Sequence, residues 1–108
     1  RFGFIEASAQ WVPWIMHETK IRFRTLGRPW PEHLLKEFGL FVTCENCDDI
    51  AYIVGEAGED NLVIGTDYGH TDSSSDLDAI NVFRRRGDLT DAVKGKILSD
   101  NARALYAL

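Results

Sequence analysis

Residues 40–67 decide the fold, and they read LFVTCENCDDIAYIVGEAGEDNLVIGTD. Two continuous apolar runs, Leu40–Cys44 and Leu62–Thr66, enclose residues 50–57, where apolar side chains recur at the i, i+3, i+4 spacing of a helix. Strands that are apolar throughout are covered on both faces, which is typical of parallel sheets with crossover helices. The stretch therefore predicts a strand-helix-strand unit with parallel strands.

The same alternation continues on both sides of this unit. An earlier apolar run, residues 2–5, predicts a first strand. Further helices are predicted from about residues 8–12 to 23, over 31–38, over 77–85 and from Thr90 onward, with a bend or a restart at 100–101. A polar loop is predicted over 68–75. We expect residues 1–108 to form a single α/β domain of three consecutive parallel strand-helix units.

Composition and charge exclude several classes of protein. The chain has 108 residues, of which 44% are hydrophobic and 27% charged, so disorder, collagen and coiled coil are excluded as the main state. The formal net charge of -5 argues against a nucleic-acid partner. No apolar run approaches the roughly 20 residues of a membrane helix. With no signal sequence and few cysteines, a cytoplasmic setting is expected.

A polar group follows each predicted strand. Glu6, Glu45 and Asp67 stand at the carboxyl ends of the three apolar runs, where parallel α/β folds bind their ligands. A carboxylate there is unfavourable unless a metal, a proton or a cation compensates its charge. The alternatives are a partly solvated strand end for Glu6 and, for Glu45, a segment 45–49 that caps the next helix.

Asp67 and His70 form the most informative pair. Asp67 lies where the third strand becomes a loop, and His70 follows three residues later. Zinc accepts carboxylate oxygen and imidazole nitrogen, but a metal site here needs further ligands from other strands. The alternative is a loop aspartate that makes a turn hydrogen bond.

Cys44 and Cys47 allow two other hypotheses. A structural zinc site would need two more ligands from the three histidines, and a redox pair would need a lowered thiol pKa. The acidic residues beside the pair raise a thiol pKa instead. Two reduced cysteines without a special role are therefore favoured.

Four segments resemble the amidohydrolase-related family of metal-dependent TIM-barrel enzymes, which includes aminocarboxymuconate-semialdehyde decarboxylase. Residues 4–7 with 11–13 resemble a late barrel strand and its loop, and residues 40–45 resemble the next strand. Residues 61–68 resemble the last strand, and residues 96–98 with 101–106 are similar to the C-terminal helix.

The resemblance implies roles for particular residues. Asp67 would be the catalytic residue and the metal ligand of the eighth strand, and could carry a proton away from the water that the metal activates. Glu6, Trp11 and His70 would line the substrate side of the pocket. Gly69 stands where many relatives have proline, which makes the loop less rigid.

The resemblance also implies an incomplete enzyme. The family requires a His-x-His pair on the first strand and a further histidine on the fifth, and the chain has no His-x-His. A TIM barrel takes about 250 residues in eight units. The chain would thus be the C-terminal part of a hydrolase or decarboxylase for a small carboxylated or cyclic substrate. The complete barrel would hold a divalent metal, zinc being expected, whereas this chain alone would be inactive and hold an incomplete site or none.

The sheet also predicts partners. Three parallel strands leave two unpaired edges and an uncovered inner face, so we expect either a homo-oligomer or association with a missing N-terminal barrel part. The chain starts without Met and a strand begins at once, which favours a longer natural protein. The alternatives are a non-enzymatic α/β remnant that self-associates as an interaction module, and a small zinc or redox domain built on the two cysteines.

Overall fold

The computed structural model describes residues 1–71 and 75–108, so the part of the predicted polar loop at 72–74 lies outside the described residues. Its sheet has three parallel strands in the order β1-β2-β3, with β2 in the centre. The strands are β1 (Phe2–Phe4), β2 (Leu40–Cys44) and β3 (Leu62–Ile64). The prediction of an α/β fold with three consecutive parallel strands is confirmed.

The helices lie where the sequence places them, mostly with shorter ends. They are α1 (Val12–Thr25), α2 (Leu34–Glu37), α3 (Ile50–Ala57), α4 (Ala79–Arg84), α5 (Asp91–Gly95), a π-helical segment (Lys96–Asp100) and α6 (Asn101–Tyr106). Side-chain caps start two of them, since Asp49 accepts from the amide of Tyr52 and Thr90 accepts from the amide of Val93. Among the described helices, none is long and apolar enough to cross a membrane.

Residues 100–101, where the sequence predicts a bend or a restart of the helix, form the junction between the π-helical segment and α6, and both keep right-handed helical dihedrals. The buried side chain of Asn101 donates to the carbonyl oxygens of Glu59 and Leu62, each at 2.7 Å. These two bonds fix the beginning of α6 beside the amino end of β3. The helix can therefore run along the sheet toward the carboxyl ends of the strands.

One face of the sheet, here called the outer face, carries the hydrophobic core. Alternate residues of a strand point to opposite faces, and Val42, Cys44 and Leu62 point toward the helices with no exposed surface. The helices contribute core residues that are equally buried, namely Val12, Ile50, Ile53, Phe83 and Ile97.

The opposite face, here called the inner face, is covered by α6. Phe41, Thr43 and Val63 point to it and are only 5–7% exposed. A Cβ atom placed on Gly3 would stand 3.5 and 3.6 Å from the two methyl groups of Leu105. The expectation of an uncovered inner face is wrong, because the helix continues from the π-helical segment into α6, which packs against this face. Self-association stays a prediction.

Candidate metal centre at the carboxyl ends of the strands

A cavity of about 460 Å³ opens on the inner face at the carboxyl ends of the strands. The sheet and the loops after its strands supply one side of the cavity, and α6 supplies the other. The described lining residues are Ile5, Glu6, Thr43, Glu45, residues 63–68, His70, Ala102 and Tyr106. All three polar strand ends that the sequence singled out therefore face one space.

Glu6 and Asp67 both have a left-handed backbone, with φ values of 57° and 48°. This conformation costs about 1–2 kcal/mol for a residue with a Cβ atom, so the surroundings must hold it in place. Such residues cluster at ligand-binding and catalytic positions. Two of them follow the two outer strands, β1 and β3, on either side of β2 and beside one cavity, which marks the carboxyl ends of the strands as the functional end of the sheet.

Thr43 holds the turn at Glu6. The amide of Glu6 donates to the hydroxyl oxygen of Thr43 at 2.9 Å, and that hydroxyl donates to the carbonyl oxygen of Phe4 at 3.2 Å. The single polar side chain of β2 thus satisfies the backbone of the neighbouring strand where its ladder stops. The sequence offers one signal for this role, a threonine within an otherwise apolar run.

The loop after β3 brings His70 back to Asp67. The amide of His70 donates to the carbonyl oxygen of Asp67 at 3.3 Å, and its Nδ1 lies 3.3 Å from Asp67 Oδ1. The carboxylate is 13% exposed and the imidazole 54% exposed. The carboxylate is therefore shielded while the imidazole remains open to the cavity and to solvent.

Glu6, Asp67 and His70 together offer a set of metal ligands. One ligand atom from each lies within 4.8 Å of the other two. Two ligands of a tetrahedral Zn²⁺ stand about 3.4 Å apart, given bonds of about 2.1 Å, so small side-chain rotations would bring these atoms onto one ion. Two carboxylates and an imidazole suit Zn²⁺ and its neighbours among the divalent transition metals. The residues present therefore fit a divalent cation.

The structure places most of the predicted pocket residues at the cavity and one of them away from it. Glu6, Asp67 and His70 come together, and Glu45 lines the same cavity. Trp11 is not among the described lining residues, because its ring packs edge-on against Phe4 with centroids 5.3 Å apart. Its substrate-binding role stays a prediction. Sequence reasoning missed Ala102 and Tyr106, because a spacing pattern does not reveal that α6 returns over the inner face.

The two cysteines lie in different environments. Cys44 lies in the core, where burial raises its pKa to about 12, and Cys47 is exposed on the following loop. The pKa of Cys47 is also raised, by desolvation and by its hydrogen bond to Glu45. Neither thiol is activated as a thiolate ligand or redox nucleophile. The structure thus favours two ordinary reduced cysteines.

Comparison with known proteins identifies a family. None of the curated proteins that were compared matches the chain. A model of the amidohydrolase family matches residues 49–108, which include Asp67, His70 and the last helix but not Glu6. The match covers more than half of the chain. Metal dependence is general in the family, and the set of possible metal ligands at the cavity agrees with that property. The chain belongs to the amidohydrolase family.

Proposed function

We propose that this chain forms the C-terminal part of a metal-dependent barrel hydrolase and supplies one wall of its active site. The substrate class is a small carboxylated or cyclic organic molecule, and the reaction is hydrolysis or decarboxylation of the kind found in enzymes like aminocarboxymuconate-semialdehyde decarboxylase. The convergence of Glu6, Asp67 and His70 on one cavity carries the proposal. The remaining strands would come from an N-terminal part or from a second copy.

Asp67 and His70, with Glu6 opposite, are the residues that would hold the metal. When bound, a divalent ion such as Zn²⁺ supplies a Lewis acid that polarises water or a substrate oxygen. Three ligands leave further positions for substrate and for ligands from other strands, as catalytic sites require.

The chain's own residues would bind and orient the substrate. A cavity of about 460 Å³ has the size of a small-molecule site. The carboxylates of Glu6 and Glu45 at its edge repel an anionic substrate unless a cation lies between them. Asp67, shielded and beside the imidazole of His70, can accept a proton on its carboxylate and return it during the reaction.

Cation titration of the 108-residue chain tests the proposal. Asp67→Asn should weaken Co²⁺ binding by about 100-fold or more, since loss of a ligand exceeds the tenfold to 100-fold effect of its supporting residues. Isothermal titration calorimetry gives the affinity, and the visible spectrum of Co²⁺ reports the ligand type, with no thiolate charge-transfer band expected.

Asp91→Asn is the matched control, because the Asp91 side chain is fully exposed and paired only within its own helix to Lys94 among the described residues. Its affinity should equal that of the unchanged chain. Equal binding by the Asp67→Asn variant, or binding lost on Cys47→Ser, would contradict the proposal and favour the cysteine-based hypothesis.

A further inference from the structure

Asp48 is a buried carboxylate that joins the loops after β1 and β2. It is 5% exposed, and its Oδ2 accepts hydrogen bonds from the amides of Ala9 and Glu45, each at 2.9 Å. Its Oδ1 accepts from the hydroxyl of Ser8. Three neutral donors thus stabilise a charge that would otherwise be very unfavourable in the interior.

These bonds fix the segment that carries Glu6. Its beginning is held by Thr43, which accepts from the amide of Glu6 at 2.9 Å, and its end is held by Asp48 through Ser8 and Ala9. Ser8 has a left-handed backbone with φ of 53°, which needs such support. Both attachments are to β2 or the loop that follows it.

The segment that carries Asp67, on the other side of the ligand set, is also fixed to β2. The amide of Gly65 donates to the carbonyl oxygen of Cys44 at 3.2 Å, which continues the pairing of β2 with β3 up to the segment that carries Asp67. Glu6 and Asp67 are 61 positions apart in the numbering, yet both are held relative to the carboxyl end of β2. Loss of the Asp48 attachment would release one ligand and leave the other in place.

We propose that Asp48 is a positioning residue for the metal site, which sets the distance between Glu6 and Asp67 by holding residues 6–9 against the end of β2. The inference rests on the proposed function, because it takes Glu6 as a cation ligand. Asp48 itself does not touch the ion. Its effect on cation binding passes through Glu6.

Three variants of the full 108-residue chain separate positioning from general stability, with Co²⁺ alone as the probe. Asp48→Ala should weaken Co²⁺ binding about tenfold, the effect typical of residues that orient metal ligands. Asp48→Asn should stay within about threefold of the unchanged chain, the scale of one net hydrogen bond, since its oxygen can still accept from both amides. Asp60→Ala, which breaks an ion-pair cluster with Lys36 and Lys96 away from the cavity, is the control and should bind as before.

A double-mutant cycle shows whether the effect passes through Glu6. In a Glu6→Gln background, Asp48→Ala should have no further effect on Co²⁺ affinity, whereas general loosening of the fold would weaken binding in both backgrounds. Circular dichroism checks that each variant is folded. Where Asp48→Ala is not, Ser8→Ala removes one of the three attachments and should weaken binding about threefold; unchanged affinity would overturn the inference.

The outcomes distinguish this inference from the proposed function. If the unchanged chain binds Co²⁺ and Asp67→Asn abolishes binding, but Asp48→Ala behaves like Asp60→Ala, the positioning role is overturned and the metal site stands. If the unchanged chain does not bind Co²⁺, or binds it equally well without Asp67, the metal site that the proposed function assigns to this chain is overturned and this inference with it.

Discussion

The two faces of the sheet are built from the same strands but are covered differently. On the outer face, Val42, Cys44 and Leu62 are completely buried under several helices. On the inner face, among the described residues, the six-residue helix α6 contacts β1 at Gly3 and lines a cavity at the strand ends through Ala102 and Tyr106. The outer face therefore contributes most of the stability of the fold, and the inner face offers the space for a ligand.

Residue size accounts for part of this contrast. Gly3 and Gly65 both lie on the inner face, and a Cβ atom at Gly65 would stand 3.6 Å from the Cβ of Thr43. Glycine at these positions allows α6 and the β2 side chains to approach the strands closely. The outer face has no glycine among its strand residues, so its side chains fill the space up to the helices.

The largest expected change in the free energy of unfolding concerns the core on the outer face. Phe83 in α4 is completely buried in the core, and Phe83→Ala should lower the free energy of unfolding by about 3–5 kcal/mol through lost burial and a residual cavity. Urea unfolding followed by circular dichroism measures the change. Phe38→Ala is the control, since Phe38 is 60% exposed, and an equal loss in both variants would refute the assignment of the core.

An intermediate effect is expected on the inner side. Leu105 is half-buried and contacts β1 at Gly3, so Leu105→Ala should lower the free energy of unfolding by about 1–2 kcal/mol, less than a fully buried leucine would. Leu108→Ala, at an 84% exposed position, should have almost no effect. Equal stabilities of these two variants in urea would show that α6 does not cover the inner face.

The smallest expected change in the free energy of unfolding concerns Asp60, which belongs to neither face of the sheet. Hydrogen bonds from Lys36 and then Lys96 lower the pKa of Asp60 to about 2. A pKa that is lower in the folded than in the unfolded chain stabilises the fold above about pH 4 and loses that contribution as the pH falls toward 2.

Asp60→Asn should therefore lower the free energy of unfolding at pH 7 by about 1 kcal/mol, the upper range for ion pairs with this exposure, and should remove this part of the acid sensitivity. Urea titrations at pH 7 and pH 2 measure both quantities. The exposed Glu56 offers the control variant Glu56→Gln, and the same pH dependence in Asp60→Asn as in the unchanged chain would rule out the effect.

Local patterns were sufficient for the elements and for selecting the polar residues that line the cavity at the strand ends. The apolar run at 40–44 and the helical spacing at 50–57 predict β2 and α3 with the bounds that the structure shows. Asp67 could be selected because a carboxylate directly after a buried strand is unfavourable unless a metal, a proton or a cation compensates its charge.

Contacts between distant residues could not be predicted from spacing. The sequence allows residues 45–49 to cap the next helix, and Asp49 does cap α3. Asp48, its neighbour, instead binds Ser8 and Ala9, about 40 positions earlier in the chain. The same holds for Thr43 and Glu6 and for the return of α6, because such contacts depend on how the strands and helices are arranged around each other.

Diffraction from crystals of the chain grown with Mn²⁺ tests the central claim most directly, since anomalous scattering locates the ion without reference to activity. We predict one peak in the inner-face cavity, about 2.0–2.2 Å from oxygen atoms of Glu6 and Asp67 and from a nitrogen of His70. No peak at the strand ends, or a peak bound only by surface carboxylates elsewhere, would contradict the claim that the carboxyl ends of the three strands form a metal site.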